Sequence, residues 1–369
     1  MHIFIRVDSS VEIGYGHVMR CLTLSEELKK QGAKVTFITR NHKGNLNNLI
    51  ISKKFNLEVI SNKIFFYDSL SFYDRWLTTT EDVDAKETIK KIANNQIDWL
   101  IVDHYSLGVT WENKIRNFVS KIMVIDDLAN RKHNCDLLFD QTYNRKKSDY
   151  INLVSKKTKL ILGSKNALLR SDFSKLKHLS VKYRNEYKSI NSILISAGSV
   201  DNENLTSKVL NALKAIKWKK NPVINVVLSS AAPYLDYVKK LSKECKFQVN
   251  VLVDISNMAE LMLRSDLAIG SGGTTSWERC CMGLPTILIV LADNQKKIGE
   301  SLFQAGAVIT LQEDYEIENS ISQSIVELMK DKKKYIRMSH NASKICDGYG
   351  AKRTVEKIYY MTSGKVHAV

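Results

Sequence analysis

Proline is almost missing from this sequence, with 3 residues in 369. No Pro- or Ser-rich linker exists, so the domains are expected to be joined by short, structured connections. Cysteine is sparse and unpatterned. Cys21, Cys135, Cys245, Cys280, Cys281 and Cys346 form no CxxC pair. That spacing argues against a disulfide framework or a zinc site, and buried free thiols in a reducing cytoplasm are expected. Long apolar runs are also absent. The longest, Pro285 to Ala292, falls far short of the roughly 20 residues a membrane-spanning helix needs. The start, Met1-His2-Ile3-Phe4-Ile5-Arg6, lacks the charged-then-apolar pattern of a signal peptide. A soluble cytoplasmic protein without membrane insertion is expected.

What the chain does hold is apolar residue, 44%, and charge, 25%, enough for two packed cores at this length. The net charge is +16, from 55 Lys and Arg against 39 Asp and Glu. A basic balance favours anionic partners, among them phosphorylated small molecules. The cations are scattered in short runs such as Arg145-Lys146-Lys147 and Lys332-Lys333-Lys334. They form no arm and do not interleave with aromatics, so nucleic acid is not an expected partner.

Short apolar runs alternate with amphipathic ones. Strands are predicted at His2–Asp8, Lys34–Thr39, Trp99–Asp103, Met123–Asp126, Leu137–Asp140 and Leu160–Gly163. A second set is predicted at Ile193–Ala197, Ile224–Ser229, Val249–Val253, Leu267–Gly270, Thr286–Val290 and Ala307–Leu311. Short unbroken runs suit parallel strands covered on both faces. The helical patterns between them, such as Val18–Gln31, Leu205–Lys217 and Gln295–Gln304, imply α/β domains with parallel sheets. Two Rossmann-like domains are expected, at 1–170 and 190–345. The polar stretch 169–189 would form the boundary, and 346–369 a last helical segment packing back on the first domain.

Ligands of open α/β sheets bind beyond the carboxyl ends of strands, and three motifs lie there. Asp8-Ser9-Ser10-Val11-Glu12-Ile13-Gly14-Tyr15-Gly16-His17 follows the first strand and opens a helix. Gly14 and Gly16 permit a tight turn. The motif lacks the third glycine of a dinucleotide fingerprint, because Met19 stands there. His17 at a helix start suits a general base, since a positive helix end disfavours imidazolium. From the segment alone, a capping or buried structural histidine is the favoured reading. Asp103-His104-Tyr105 ends another strand and reads as polar groups facing a ligand or as a hydrogen-bonded strand end. The third motif, Gly270-Ser271-Gly272-Gly273-Thr274-Thr275-Ser276-Trp277-Glu278, is a strand, a glycine-rich turn and a helix. Its N–H groups and hydroxyls suit a diphosphate, and Glu278 suits two ribose hydroxyls. No Gly-Lys-Ser/Thr follows, which excludes a Walker loop. No glycosidase acid–base pair stands out. A diphosphate leaving group needs no proton donor, so one base and a seat for the phosphates suffice.

Taken in order, these segments resemble the PseG family, the UDP-2,4-diacetamido-2,4,6-trideoxy-β-L-altropyranose hydrolases of pseudaminic acid biosynthesis. The resemblance rests on Asp8-Ser9-Ser10, Gly14 to His17, Arg20, Asp103-His104-Tyr105 and Asp126-Asp127. It continues through Gly163, Ala167 to Arg170, Thr275 to Arg279, Gly283-Leu284-Pro285, Ala292 to Gln295 and Asp347 to Gly350. It implies a GT-B fold, two Rossmann-like domains facing across a cleft, and a cytoplasmic enzyme without metal or cofactor. Water would attack the anomeric carbon of a UDP-sugar and release UDP. The sugar would go toward flagellin or surface polysaccharide.

By the same resemblance His17 would be the base. Ser10, Gly14, Gly16, Arg20, Asp103, Tyr105, Arg170, Asn294 and Gln295 would bind substrate. Gly198, Ser199, Gly272, Gly273, Thr274, Thr275 and Glu278 would bind UDP. A monomer is expected. One departure stands out: Ser199 takes a position where the family often has the second of two glycines. The pattern is also similar to the peptidoglycan-precursor N-acetylglucosaminyltransferase, so a glycosyltransferase remains the alternative. Such an enzyme would want an apolar membrane-docking face, for which Ile64 to Tyr67, on toward Trp76, is the candidate segment.

Overall fold

A computed structural model of the protein describes residues 1–62, 73–186 and 189–364. The chain divides into two compact units, Met1–Leu168 with Gly350–Val369, and Leu169–Tyr349. Among the described residues the first unit carries a seven-stranded parallel sheet in the order β3-β2-β1-β4-β5-β6-β7. The strands are β1 His2–Val7, β2 Lys34–Arg40, β3 Asn56–Ile60, β4 Trp99–Asp103, β5 Lys121–Ile125, β6 Leu137–Asp140 and β7 Lys159–Leu162. The second unit holds a six-stranded parallel sheet, β10-β9-β8-β11-β12-β13. Its strands are β8 Ser192–Ile195, β9 Val223–Leu228, β10 Val249–Val253, β11 Leu267–Ser271, β12 Thr286–Val290 and β13 Val308–Gln312.

The central strands are buried on both faces, which is why they read as unbroken apolar runs. Ile3, Ile5 and Val7 pack with Val18, Leu24 and Leu28 on one face of the first sheet, while Phe4, Leu100 and Val102 pack with Ala85 and Trp111 on the other. In the second unit Ile193, Ile195, Val226, Ile269 and Ile287 face Leu205, Val209, Leu213 and Ile321. The alternation of strand and helix thus produced two α/β units, as the sequence predicts. Strand β3 escaped prediction because an edge strand, half exposed as Asn-Leu-Glu-Val-Ile, lacks a continuous apolar run.

The stretch 169–189, expected as a boundary, is largely helix: Ser171–Asn185 belongs to the second unit. Its polar side chains are put to use. Arg184 donates to the carbonyls of Met262 (2.6 Å) and Ser265 (2.7 Å), and Lys177 to those of Ser343 and Cys346, both at 2.6 Å. The helix Gly350–Ser363 returns to the first unit and adds Ala351, Val355 and Ile358 to its core. No helix among the described residues is long and apolar enough to cross a membrane.

Both strand orders place a topological switch point next to a motif. In the first sheet β1 lies between β2 and β4, and in the second β8 lies between β9 and β11. At such a point the loops after neighbouring strands leave in opposite directions and open a crevice.

Candidate functional site

In the first unit the register brings the end of β4 to the end of β1, with Val7 beside Asp103. After β1 the chain turns on Ser10, whose hydroxyl oxygen accepts from the N–H of Glu12 (3.1 Å) and of Ile13 (2.9 Å). Gly14 closes that turn at φ +78°, a backbone conformation that L side chains rarely adopt. The helix Gly16–Lys30 begins two residues later. Ser10 and Gly14 therefore shape the loop.

His17, Arg20 and Cys21 stand at i, i+3 and i+4 on one helix face, and all three meet Asp103. His17 Nδ1 lies 2.6 Å from Asp103 Oδ1, and Cys21 Sγ 3.4 Å from Oδ2. Arg20 clasps the same carboxylate through Nε and Nη2, both at 2.7 Å, and sends Nη1 to Asp127 Oδ2 at 2.8 Å. Asp103 is fully buried, and burial opposes its charge. The Arg20 guanidinium, helped by His17, outweighs that and holds the carboxyl well below the usual carboxylate range.

An ionised carboxylate only accepts hydrogen bonds, so the 2.6 Å contact takes the proton from Nδ1. In the neutral ring Nε2 is then the basic nitrogen. It makes no hydrogen bond within the protein among the described residues.

Aromatic side chains wall the imidazole. Tyr105 meets it edge-on at 4.7 Å and Trp76 at 6.0 Å, and these two rings stack at 5.4 Å. The Tyr105 hydroxyl donates to Asp127. Burial, then Asp127, pushes that phenol well above its ordinary value, so it stays protonated. Asp103 and Arg20, expected to touch substrate, are spent on each other and on His17.

Asp8 and His104 belong to a separate buried cluster. Asp8 pairs with Arg6 at 2.6 Å, accepts from the Arg40 N–H at 2.7 Å and lies 3.3 Å from His104 Nε2. Trp76 and Asp127 were not singled out as site residues from the sequence. Asp127 had a signal, as the second residue of Asp126-Asp127 at a strand end. Trp76 lies on a four-residue helix, Asp74–Leu77, which periodicity does not detect. Ile64 to Tyr67, considered as a membrane-docking face, lie outside the described residues.

In the second unit the loop after β8 meets the turn after β11. Ser271 Oγ donates to Ala197 O at 3.0 Å. A β-carbon on Gly270 would stand 1.9 Å from Ser196 O, so only glycine fits there. The helix Thr274–Cys281 springs from Gly273. Gln295 Oε1 accepts from the N–H of Gly272 (3.2 Å) and of Leu291 (3.1 Å), so this side chain ties the turn to the end of β12.

Gly198 and Ser199 lie at the β8 end, where Ser199 O accepts from Ser229 N–H at 2.8 Å. Thr274, Thr275 and Glu278 are half-buried. Burial raises the Glu278 carboxyl above its ordinary value, partly offset by Arg170 and Arg279. Arg170 donates to Ser256 O at 2.7 Å, and Asn294 is exposed. The expected residues thus fall into two sets. His17, Arg20, Asp103 and Tyr105 meet in the first unit. Gly198, Ser199, Gly272, Gly273, Thr274, Thr275, Glu278 and Gln295 line strand ends in the second.

The sequence matches the glycosyltransferase family 28 C-terminal domain over residues 192–354. It is 28% identical over 309 residues to the UDP-2,4-diacetamido-2,4,6-trideoxy-β-L-altropyranose hydrolase of Campylobacter jejuni, covering 83% of this chain and 97% of that protein. The resemblance read from the motifs is shown. An uncharacterised protein of Methanocaldococcus jannaschii is 30% identical over 308 residues, 80% of this chain. The match spans only 57% of that relative's length. Among solved structures, Acinetobacter baumannii MurG aligns at a TM-score of 0.69 with 16% identity, over 98% of this chain and 99% of the other. The fold is GT-B-like, built of two Rossmann-like units with parallel sheets.

Proposed function

We propose that the protein hydrolyses a UDP-activated diacetamido-trideoxy sugar at its anomeric carbon and releases UDP and the free sugar for pseudaminic acid biosynthesis. The observation that carries this reading is the His17–Asp103–Arg20 relay. Asp103 orients the ring through Nδ1 at 2.6 Å, and Arg20 keeps that carboxylate charged. The histidine then presents Nε2 as a base. Nε2 takes a proton from water, the water oxygen bonds to the anomeric carbon, and the carbon–oxygen bond to the diphosphate breaks. The leaving diphosphate needs no proton, in keeping with a single base. The likeness to the Campylobacter jejuni hydrolase over 97% of that protein supports the same reaction.

In this reading the turn Gly272–Thr275 receives the diphosphate, and Glu278 accepts from the ribose hydroxyls. Arg170, Asn294 and Gln295 line the nucleotide-sugar, and Tyr105 and Trp76 pack beside the sugar ring. Asp103 and Arg20 act through His17. The enzyme works as a cytoplasmic monomer and needs no metal.

The family 28 match supports a second reading, transfer of the sugar from UDP to an acceptor. Incubation with the UDP-sugar, without acceptor and with a chelator present, separates the two. Multiple turnovers of UDP release establish hydrolysis, whereas release only on addition of an acceptor establishes transfer. In the same assay His17→Asn is expected to abolish turnover while UDP still binds, and near-normal turnover would remove His17 from the role of base.

A further inference from the structure

Arg279 has no counter-charge where burial should demand one. It sits on the helix Thr274–Cys281, directly after the glycine-rich turn, and is 1% exposed. Buried guanidinium groups ordinarily pair with a carboxylate. Three others in this chain do: Arg6 with Asp8 and Asp84, Arg20 with Asp103 and Asp127, and Arg40 with Asp84 and Glu87. A fourth, Arg184, lacks an ion pair among the described residues but satisfies both terminal nitrogens, on the carbonyls of Ser180, Met262 and Ser265. Arg279 forms no ion pair among the described residues. Its Nη2 donates to the carbonyl of Ser271 (2.5 Å) and to Ser276 Oγ (3.2 Å), while Nε and Nη1 are buried without a partner.

The guanidinium lies under the turn itself. A β-carbon on Gly270 would stand 3.0 Å from Nη1. Removal from water disfavours the charge and brings this arginine down to about 10, despite help from Cys280 and Glu278. Arg184, lowered by burial as well, spends both terminal nitrogens on hydrogen bonds, whereas Arg279 uses Nη2 alone, which is little structural return for a buried charge. Methionine would fill similar space without it.

Resting on the nucleotide-binding reading above, we propose that Arg279 is a positioning residue whose uncompensated charge, held beneath the turn Ser271–Thr275, is offset by the field of a diphosphate only when one occupies that turn. It acts without touching the ligand. Its bond to Ser271 O orients the turn, and its charge raises the potential where the peptide N–H groups point. In a site of low dielectric, one charge a few ångströms behind a bound dianion changes affinity by about tenfold or more.

The test compares Arg279→Met and Arg279→Lys with the wild type in the full chain. UDP and uridine binding are measured by calorimetry and Tm by thermal scanning. Arg279→Met is expected to keep or raise Tm, lose about tenfold or more in UDP affinity, and bind uridine as the wild type does. Arg279→Lys is expected to recover part of the UDP affinity, because it restores charge without the paired N–H geometry. Equal UDP affinity in the wild type and Arg279→Met overturns the proposal. So does a fall in Tm with parallel losses for UDP and uridine, which marks a structural arginine. A wild type that binds no UDP overturns instead the nucleotide reading on which the proposal rests.

Discussion

Replacing Asp103 with asparagine leaves the volume at the end of β4 unchanged and removes one charge. In the native site this carboxylate accepts from His17 Nδ1 at 2.6 Å and from two Arg20 nitrogens at 2.7 Å each. The asparagine amide has one oxygen to accept with, so it cannot serve both partners. If its NH2 group turns to the histidine, it stabilises the opposite tautomer. The proton then sits on Nε2, where the base should be free. Losing the orienting carboxylate of a histidine base costs about four orders of magnitude in the Ser-His-Asp hydrolases. In the proposed hydrolysis water is the nucleophile and UDP the leaving group, so a loss of kcat of about 10³-fold is expected, near 4 kcal/mol of barrier.

Stability should fall as well. Arg20 is 3% exposed and would keep Asp127 as its remaining carboxylate. Breaking a buried pair costs about 3–5 kcal/mol, and the remaining partner places this one near the lower end. The assay is continuous UDP release without acceptor, beside urea denaturation and UDP calorimetry. UDP affinity should not change, because the proposed nucleotide seat lies in the other unit. A folded Asp103→Asn protein with kcat within fivefold of the wild type would refute the relay.

Other substitutions probe other links. Glu278→Ala should weaken UDP binding by about tenfold, at the level of a charge-assisted hydrogen bond. Calorimetry with UDP and 2′,3′-dideoxy-UDP checks this, and equal losses for the two ligands would contradict the ribose contact. Gly270→Ala drives a β-carbon to 1.9 Å from Ser196 O. It should cost about 2–3 kcal/mol or prevent folding of the second unit, as overpacking against backbone does; an unchanged urea midpoint would contradict the close approach.

Burial raises Asp140 to about 6, with Arg145 partly offsetting it. Because that value lies above the unfolded one, its contribution to stability is full below pH 4 and falls as pH rises to about 6, by about 3 kcal/mol in all. Asp140→Asn should flatten the pH dependence of stability across that window. An identical slope in wild type and variant would show that Asp140 titrates normally.

The sequence determined much by itself. Apolar run length and alternation gave twelve of the thirteen strands described, because parallel strands buried on both faces leave a continuous apolar record. The two glycine-containing strand ends were legible as tight turns, since turns of that kind need glycine and little else. Local patterning was silent on β3, an exposed edge, and on the helix Ser171–Asn185, whose polar residues serve carbonyls distant in sequence.

Tertiary structure alone supplied the partners on which the proposed role of His17 rests. On its own segment it read as a cap or a buried histidine rather than a base. The register of β1 against β4 set Asp103 beside it from 86 residues away, and Arg20 fixed the charge of that partner. Chemistry of this kind depends on which strand ends lie next to each other in a sheet. Strand order is set by long-range packing, and no local pattern of residues records it.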